Sequence, residues 1–304
     1  MRQVVFIFGA MILGIIFYQG YHFTFLVRYT VMVMLFLAFL NIDFNWKVLH
    51  RNHISVMIIQ LILPILIFYS IRPFNQEIAL ACFTVGLAPT AAGAPVMAAF
   101  LKTKVEFVTA SVILTTPVVA LFLPLVLPYM VSVDQPINTL EVLGPTAFLV
   151  FAPLISSQII RNYRKSWLPF FSRFKALPFY LFVSNIYIAA GKATHFIRFE
   201  ASVSTSILVL TGIAVAITGL ILFKIGEWVI GRQVFTLESG LALGRKNTMF
   251  ALWVALTFIN PMVALGPIFY ILFQNSYNSW QLFNLNKIHK KLAAKTLKEQ
   301  KSSK

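Results

Sequence analysis

The chain has 304 residues, of which 59% are hydrophobic and only 11% are charged, and its mean hydropathy is +0.82. A water-soluble domain would contain about one quarter charged residues, so this composition excludes an ordinary soluble enzyme, a secreted disulfide scaffold and a disordered chain. Lys and Arg outnumber Asp and Glu by 25 to 9, and the net charge is +16, so the positions of the basic residues indicate membrane orientation.

Ten segments of the chain are apolar and mostly close to the length of about 20 residues that a membrane-spanning helix needs. They lie near residues 3–19, 24–41, 54–71, 77–101, 105–130, 139–160, 176–191, 202–226, 233–258 and 261–283. We predict an all-α polytopic membrane protein with ten transmembrane helices in a single membrane domain, residues 1–286. The Lys-rich tail that follows, residues 287–304, is predicted to be solvated in the cytoplasm or to bind anionic lipid.

Basic residues concentrate on one side of these segments. Nineteen of them fall on the side that holds both chain ends, and four fall on the other side, namely Arg28, Arg72, Lys192 and Arg198. Loops rich in Lys and Arg stay in the cytoplasm, so both termini are expected to be cytoplasmic, in a bacterial inner membrane. Most of the charge then serves insertion into the lipid bilayer, and nucleic acid is not an expected partner.

The fourth segment is interrupted near its middle by Pro89, Gly93 and Pro95. Proline lacks an amide donor and restricts the residue before it, so we predict that one half-helix ends here and another starts at Pro95. A proline kink in a continuous helix is the alternative. Unwound backbone inside a membrane needs partners in protein or in a wet cavity, so this interruption is a candidate site.

The ninth segment contains charge where charge is most costly. Gly244 is followed by four polar residues, 245–248, near the middle of the span. Each charge at that depth costs about 2.5–3.5 kcal/mol, so we predict a second interruption and interpret Arg245 and Lys246 as part of an anion site. A purely structural pair of Arg245 with Glu238 or another carboxylate is the alternative.

The two interruptions occupy corresponding positions. Each lies in the fourth of five segments, one in residues 1–135 and the other in residues 136–283. An odd number of spans turns the second half upside down, so we predict two inverted five-helix repeats. Paired discontinuous helices at such positions indicate a transporter whose site lies between the repeats.

The motifs around both interruptions resemble those of the bile acid:sodium symporter family, in the bile/arsenite/riboflavin transporter superfamily. They are Ala88-Pro-Thr-Ala-Ala-Gly-Ala-Pro-Val-Met97 with the following residues 102–116, Gly244-Arg-Lys-Asn247, and Phe269-Tyr-x-x-x-Gln274-Asn275. The auxin efflux carrier family is similar more distantly, mainly over residues 88–128. The resemblance covers nearly the whole chain and implies a core domain of segments three to five and eight to ten. This core moves against a panel of segments one, two, six and seven.

The chain departs from the sodium-coupled members of that family. Where those proteins have oxygen-bearing side chains, this chain has Ala94, Pro95 and Ala242, and Lys246 stands in place of a glutamine. The resemblance therefore implies that most of the sodium cage is lost. Lys246 is expected either to act as a tethered cation or to carry a proton through the transport cycle.

We accordingly predict a secondary transporter that moves an organic anion, bile-acid-like or a small carboxylate, by alternating access. Free amides at the half-helices that start at Pro95 and after Asn247 are expected to attract the anion. The predicted substrate-binding residues are Thr90, Gly93, Pro95, Gly244, Arg245, Lys246, Asn247, Thr248 and Asn275. Candidates for coupling to Na+ or H+ are Gln60, Thr109, Ser111, Thr116, Glu238 and Lys246.

Other functions stay open at this point. A proton-coupled or uniport carrier similar to auxin efflux carriers is one, and a sodium-coupled symporter with an altered ion site is another. A channel is disfavoured because no ring of like polar residues repeats across several helices. An enzyme is not expected, since the sequence has neither a His-Glu-x-x-His pair nor clustered aspartates for a metal. We expect no cofactor, and a monomer or weak dimer.

Overall fold

The structure is a computed structural model that describes residues 2–42, 48–131, 138–200, 204–230 and 235–302. Nearly all of these residues are helical, and none of them forms a β-strand. The helices are α1 (Arg2–Ile16), α2 (Leu26–Leu40), α3 (Arg51–Ile71), α4 (Gln76–Leu87), α5 (Ala94–Phe100), α6 (Val105–Met130), α7 (Thr139–Tyr163), α8 (Leu168–Ser172), α9 (Leu177–His195), α10 (Thr205–Ile225), α11 (Thr236–Gly244), α12 (Thr248–Phe258) and α13 (Leu265–Ser302). Lys47, Arg232 and Lys304, which belong to the basic residues counted above, lie outside the described residues.

Several helices are suited to a membrane. Four of them, α3, α6, α7 and α10 with the π-helical turn that follows it, are long and apolar enough to cross a bilayer. The helical segments Lys165–Ser172 and Leu177–Glu200 follow each other with a bend of 56° between them. If this pair crosses the bilayer as one unit, it forms a fifth span. Along α3, Ile54, Ile58 and Ile62 are exposed on one face, as expected for a surface that lipid covers. These features are those expected of a helical membrane protein.

Both interruptions predicted from the sequence are present. The fourth segment is divided into α4 and α5, and the ninth is divided into α11 and α12. Ala88 is extended, with ψ of 138°, because the proline that follows disfavours helical geometry. Pro95 lies in the first turn of α5, where its missing amide costs no helical hydrogen bond. The fourth segment is therefore broken rather than kinked.

The helices pack in two groups. In the panel group, α1 packs on α9, and α2 packs on both α7 and α9. In the core group, α3 packs on α4, α5 on α6, and α10 on α4, α11 and α13. The groups meet where α6 contacts α7 and where α12 contacts α2 and α9. A cavity at this junction is bounded by helices of both groups.

The end of the chain is a single long helix. The last apolar segment, 261–283, was predicted separately from the Lys-rich tail, 287–304. In the structure α13 continues without a break from Leu265 to Ser302. At 1.5 Å per residue, the part of α13 beyond residue 286 is about 24 Å long, so this end of the protein projects well past the apolar segment.

Close packing of α1 against α9 leads to a stability prediction. A Cβ atom on Gly14 would lie 2.5 Å from the carbonyl oxygen of Tyr187 and 2.8 Å from Cβ of Ala190, whereas a Cβ on Gly9 would meet nothing within 4 Å. Overpacking of this kind costs about 1–3 kcal/mol. We expect Gly14→Ala to lower the thermal unfolding midpoint in detergent and Gly9→Ala to leave it unchanged or slightly raised. Equal midpoints for the two variants would contradict this packing.

Candidate functional site

The two interruptions cross each other inside the bundle. The Ala91 amide donates to the Arg245 carbonyl at 2.7 Å, and the Asn247 amide donates to the Pro89 carbonyl at 2.8 Å. Thr90 and Lys246 thereby form an isolated antiparallel bridge. Backbone groups that lose their helical partners inside a membrane must find others, and here each interruption supplies them to the other. We call residues 88–93 and 245–247 the crossing.

Thr90 stabilises the crossing through hydrogen bonds to α11 and α6. Its hydroxyl donates to the Ala242 carbonyl at 2.7 Å, and its amide donates to the Thr115 hydroxyl oxygen on α6 at 3.0 Å. The Thr115 hydroxyl donates in turn to the Thr90 hydroxyl oxygen at 3.1 Å. Thr90 is fully buried, so it supports the geometry of the crossing rather than facing a ligand.

Gln60 connects the crossing to α3. Its side-chain nitrogen donates to the carbonyl oxygens of Leu87, at 2.8 Å, and Ala88, which α4 leaves free at its end. Its side-chain oxygen accepts a hydrogen bond from the ammonium group of Lys246. Gln60 thus bonds both interruptions with one amide group, and both of its polar atoms are satisfied.

Lys246 is buried deep in the core group. Only 1% of its surface is exposed, and no described carboxylate forms an ion pair with it. Gln60 binds its ammonium group, and its backbone amide donates to the side-chain oxygen of Gln274 on α13 at 3.2 Å. The side-chain nitrogen and the backbone amide of Lys246 are therefore each held within the crossing by a neutral amide oxygen.

A cavity of about 830 Å³ lies beside the crossing, between the panel and core groups. On the panel side its wall is apolar and includes Val31, Met34, Leu35, Phe179 and Phe182. On the core side the wall is polar and includes Gly93, Pro95, Arg245, Lys246, Asn247, Thr248, Gln274 and Asn275. An apolar enclosure with a few convergent polar groups is the usual form of a small-molecule site.

Arg245 is a charged residue of this wall that has no ion-pair partner among the described residues. Its Nε atom is buried without a hydrogen-bond partner, and its side chain forms no ion pair with any described residue. Glu238, the alternative partner, accepts hydrogen bonds from the Thr103 hydroxyl and from the Lys104 amide at 3.0 Å. Arg245 is therefore not part of a structural pair with Glu238. Because its buried Nε atom has no partner in the described protein, the guanidinium requires an anion or water.

The free amides predicted at the start of α12 are largely occupied. The Asn247 side chain accepts from the Phe250 amide at 3.2 Å, and the Thr248 amide donates to the Lys246 carbonyl at 2.9 Å. The expectation of free amides is therefore wrong for Phe250 and Thr248. Among the groups predicted to attract an anion, Arg245 is the one in the cavity wall whose side chain has no partner in the described residues.

The remaining predicted residues differ in their surroundings. Gly244 does not line the cavity, and its carbonyl accepts from the Tyr270 hydroxyl. On α6, the hydroxyls of Thr109, Ser111 and Thr116 donate to carbonyls of their own helix at 2.7–3.0 Å, and of the three only Thr109 lines the cavity. Of the coupling candidates, the structure brings only Gln60 and Lys246 together.

One buried carboxylate was not predicted from the sequence. Glu227 is 6% exposed and accepts from Lys224 at 2.7 Å, from Tyr277 at 3.1 Å and from Gln281 at 3.0 Å. It was not predicted because it follows the eighth apolar segment, 202–226. In the structure the helical backbone continues beyond that segment, through a π-helical turn, to Ile230. Lys224, three residues earlier, was the signal for the pair. This cluster fastens the end of α10 to α13.

Comparison of the sequence with family profiles gives no match, and comparison with curated protein sequences gives none either. The structure by itself shows a helical protein with apolar helices of membrane-spanning length and two broken helices that cross beside a cavity. The resemblance to bile acid:sodium symporters stays a prediction from the motifs.

Proposed function

We propose that the protein is a secondary active transporter that moves an organic anion by alternating access. The observation that supports this most strongly is the unpaired Arg245 guanidinium in the wall of the cavity at the crossing. Intramembrane charges that face a cavity are typically functional, and discontinuous helices at corresponding positions are typical of transporter sites. In this proposal the anion binds Arg245 between the two interruptions.

The proposed topology has ten spans in two inverted repeats, with both termini in the cytoplasm. It is supported by helices at each of the ten predicted segments and by a broken helix in each half of the chain. It is also supported by the packing groups, because α1, α2, α7 and α9 correspond to the panel that the family resemblance implies. The panel and core groups are proposed to move against each other.

This orientation assigns a state to the structure. The cavity is lined by Ile7 near the start of α1, Asn41 after the end of α2, Glu106 near the start of α6 and Pro178 near the start of α9. In the proposed topology these helix ends are all cytoplasmic. The structure then corresponds to the inward-facing state, in which the anion exchanges with the cytoplasm.

The proposed coupling follows from Lys246. Its ammonium is held by Gln60 next to the carbonyl end of α4, where a bound cation is electrostatically favourable. We propose that Lys246 serves as a tethered cation, so that transport does not require sodium. Transfer of a proton on and off Lys246, as in a proton-coupled carrier, is the alternative mechanism.

A ligand screen tests the function directly. Purified protein in detergent is heated with a panel of organic anions, in sodium buffer and in N-methylglucamine buffer. We expect at least one anion to raise the unfolding midpoint equally in both buffers, since binding to the folded state stabilises it. The same anion should show saturable uptake into proteoliposomes. Ohmic single-channel currents without saturable uptake would contradict the proposal and identify a channel.

A further inference from the structure

The cavity wall contains, besides Arg245 and Lys246, a charged group to which the proposed function gives no role. Glu106, in the first turn of α6, lines the cavity and is exposed. No hydrogen bond or ion pair joins its side chain to any other described residue. Glu106 is also the one carboxylate in the described wall of this cavity. An unpaired carboxylate in that position affects every ligand that enters.

The distance of Glu106 from the anion site follows from α6. Thr115 marks the level of the crossing on this helix, because its hydroxyl is bonded to Thr90. Glu106 precedes Thr115 by nine residues, which is about 13 Å along a regular helix. Between them, Thr109 and Ile113 line the same cavity. The crossing, which includes Arg245, therefore lies at the inner end of the cavity, and Glu106 lies about 13 Å along α6 from the level of the crossing, towards the mouth.

The two ends of the cavity differ in charge. At the inner end Arg245 is free, whereas the ammonium of Lys246 is already bound to Gln60. Because Gln60 is neutral, neither positive charge is compensated by a described carboxylate, and the inner end attracts an anionic group. A second anionic group at the far end of an elongated ligand would approach Glu106, and like charges near an apolar wall repel each other more strongly than in water.

Resting on the proposed function, we propose that Glu106 determines specificity. It makes the cavity select elongated amphipathic molecules with one anionic group, which binds Arg245, and a cationic or hydrogen-bond-donating group at the other end, which binds Glu106. Dianions of the same length are rejected. The substrate class is thus narrowed from organic anions in general to single anions with a donor or cationic group at the opposite end.

Three ligands with the same ten-carbon chain test this selection: decanoate, 10-aminodecanoate and decanedioate. Dissociation constants are measured on the full-length protein in detergent, below the concentrations at which the ligands form micelles. For the wild-type protein we expect 10-aminodecanoate to bind most tightly and decanedioate at least tenfold more weakly. In Glu106→Gln this ratio should fall to about threefold or less, and in Glu106→Lys the order should reverse. Glu141→Gln, in the exposed first turn of α7, is the matched control and should keep the wild-type ratio.

The results separate this inference from the function on which it rests. If decanedioate and 10-aminodecanoate bind the wild-type protein equally, or if Glu106→Gln and Glu106→Lys keep the wild-type ratio, the role of Glu106 is overturned while anion binding stands. If none of the three ligands binds the wild-type protein, or if Arg245→Gln binds decanoate as tightly as wild type, the proposed anion site itself fails.

Discussion

Replacing Arg245 with glutamine is expected to weaken binding of an organic anion by about 10- to 100-fold. The guanidinium is the cationic group of the cavity that no hydrogen bond or ion pair to a described residue engages, and a hydrogen bond to a charged group contributes about 1.5–3 kcal/mol. Each 1.4 kcal/mol corresponds to a factor of ten in affinity. The dissociation constant of the best anion from the screen, measured on purified protein, checks the prediction.

The variant should fold normally, because Arg245 supports the crossing through its backbone carbonyl and not through its side chain. Its unfolding midpoint without ligand should therefore equal or exceed that of wild type, since removal of an unpaired buried charge does not cost stability. Arg164→Gln, at an exposed position after the end of α7, is the control and should bind the anion as wild type does. An unchanged affinity in Arg245→Gln would place the anion elsewhere.

The interruptions were predictable from the sequence because their causes are local. Pro89 and Pro95 remove amide donors, and two adjacent cations at midspan have no stable place in a continuous lipid-facing helix. The bonds that join the interruptions were not predictable, because Thr90 and Lys246 are more than 150 residues apart. Their pairing depends on how α4 and α11 are oriented in three dimensions, which periodicity does not encode.

The roles of individual polar residues were likewise predictable from the sequence only in part. Arg245 was identified from its cost in a membrane, and the structure leaves it unpaired beside the cavity. Lys246 was identified on the same ground, yet the sequence could not show that Gln60 holds its ammonium or that Gln274 holds its amide. For hydroxyl residues such as Ser111 the sequence was least informative, because a helical hydroxyl can bond its own backbone as well as a ligand.

Replacing Lys246 with glutamine is expected to reduce uptake of the anion about tenfold or more in the absence of sodium. Uptake by the wild-type protein should be equal in sodium and in N-methylglucamine. The reason is that the crossing is arranged around a fixed positive charge. Gln60 directs its oxygen at the Lys246 ammonium while its nitrogen binds the carbonyls that end α4. Without the ammonium the Gln60 side-chain oxygen loses its hydrogen-bond donor, and the crossing loses the charge that assists Arg245 in attracting an anion. A tenfold loss corresponds to about 1.4 kcal/mol in the rate-limiting barrier.

Initial rates of uptake into proteoliposomes, with defined sodium and pH gradients, distinguish the possible roles of Lys246. A tethered cation predicts that sodium outside the vesicles partly restores uptake in Lys246→Gln and has no effect on wild type. A proton carrier predicts instead that a pH gradient accelerates wild-type uptake and that Lys246→Gln abolishes this acceleration. Lys175→Gln, at an exposed site between α8 and α9, is the matched control and should behave as wild type in every gradient. Strong sodium dependence of wild-type uptake would overturn the tethered-cation role, because a permanently occupied site leaves no place for a sodium ion at the crossing.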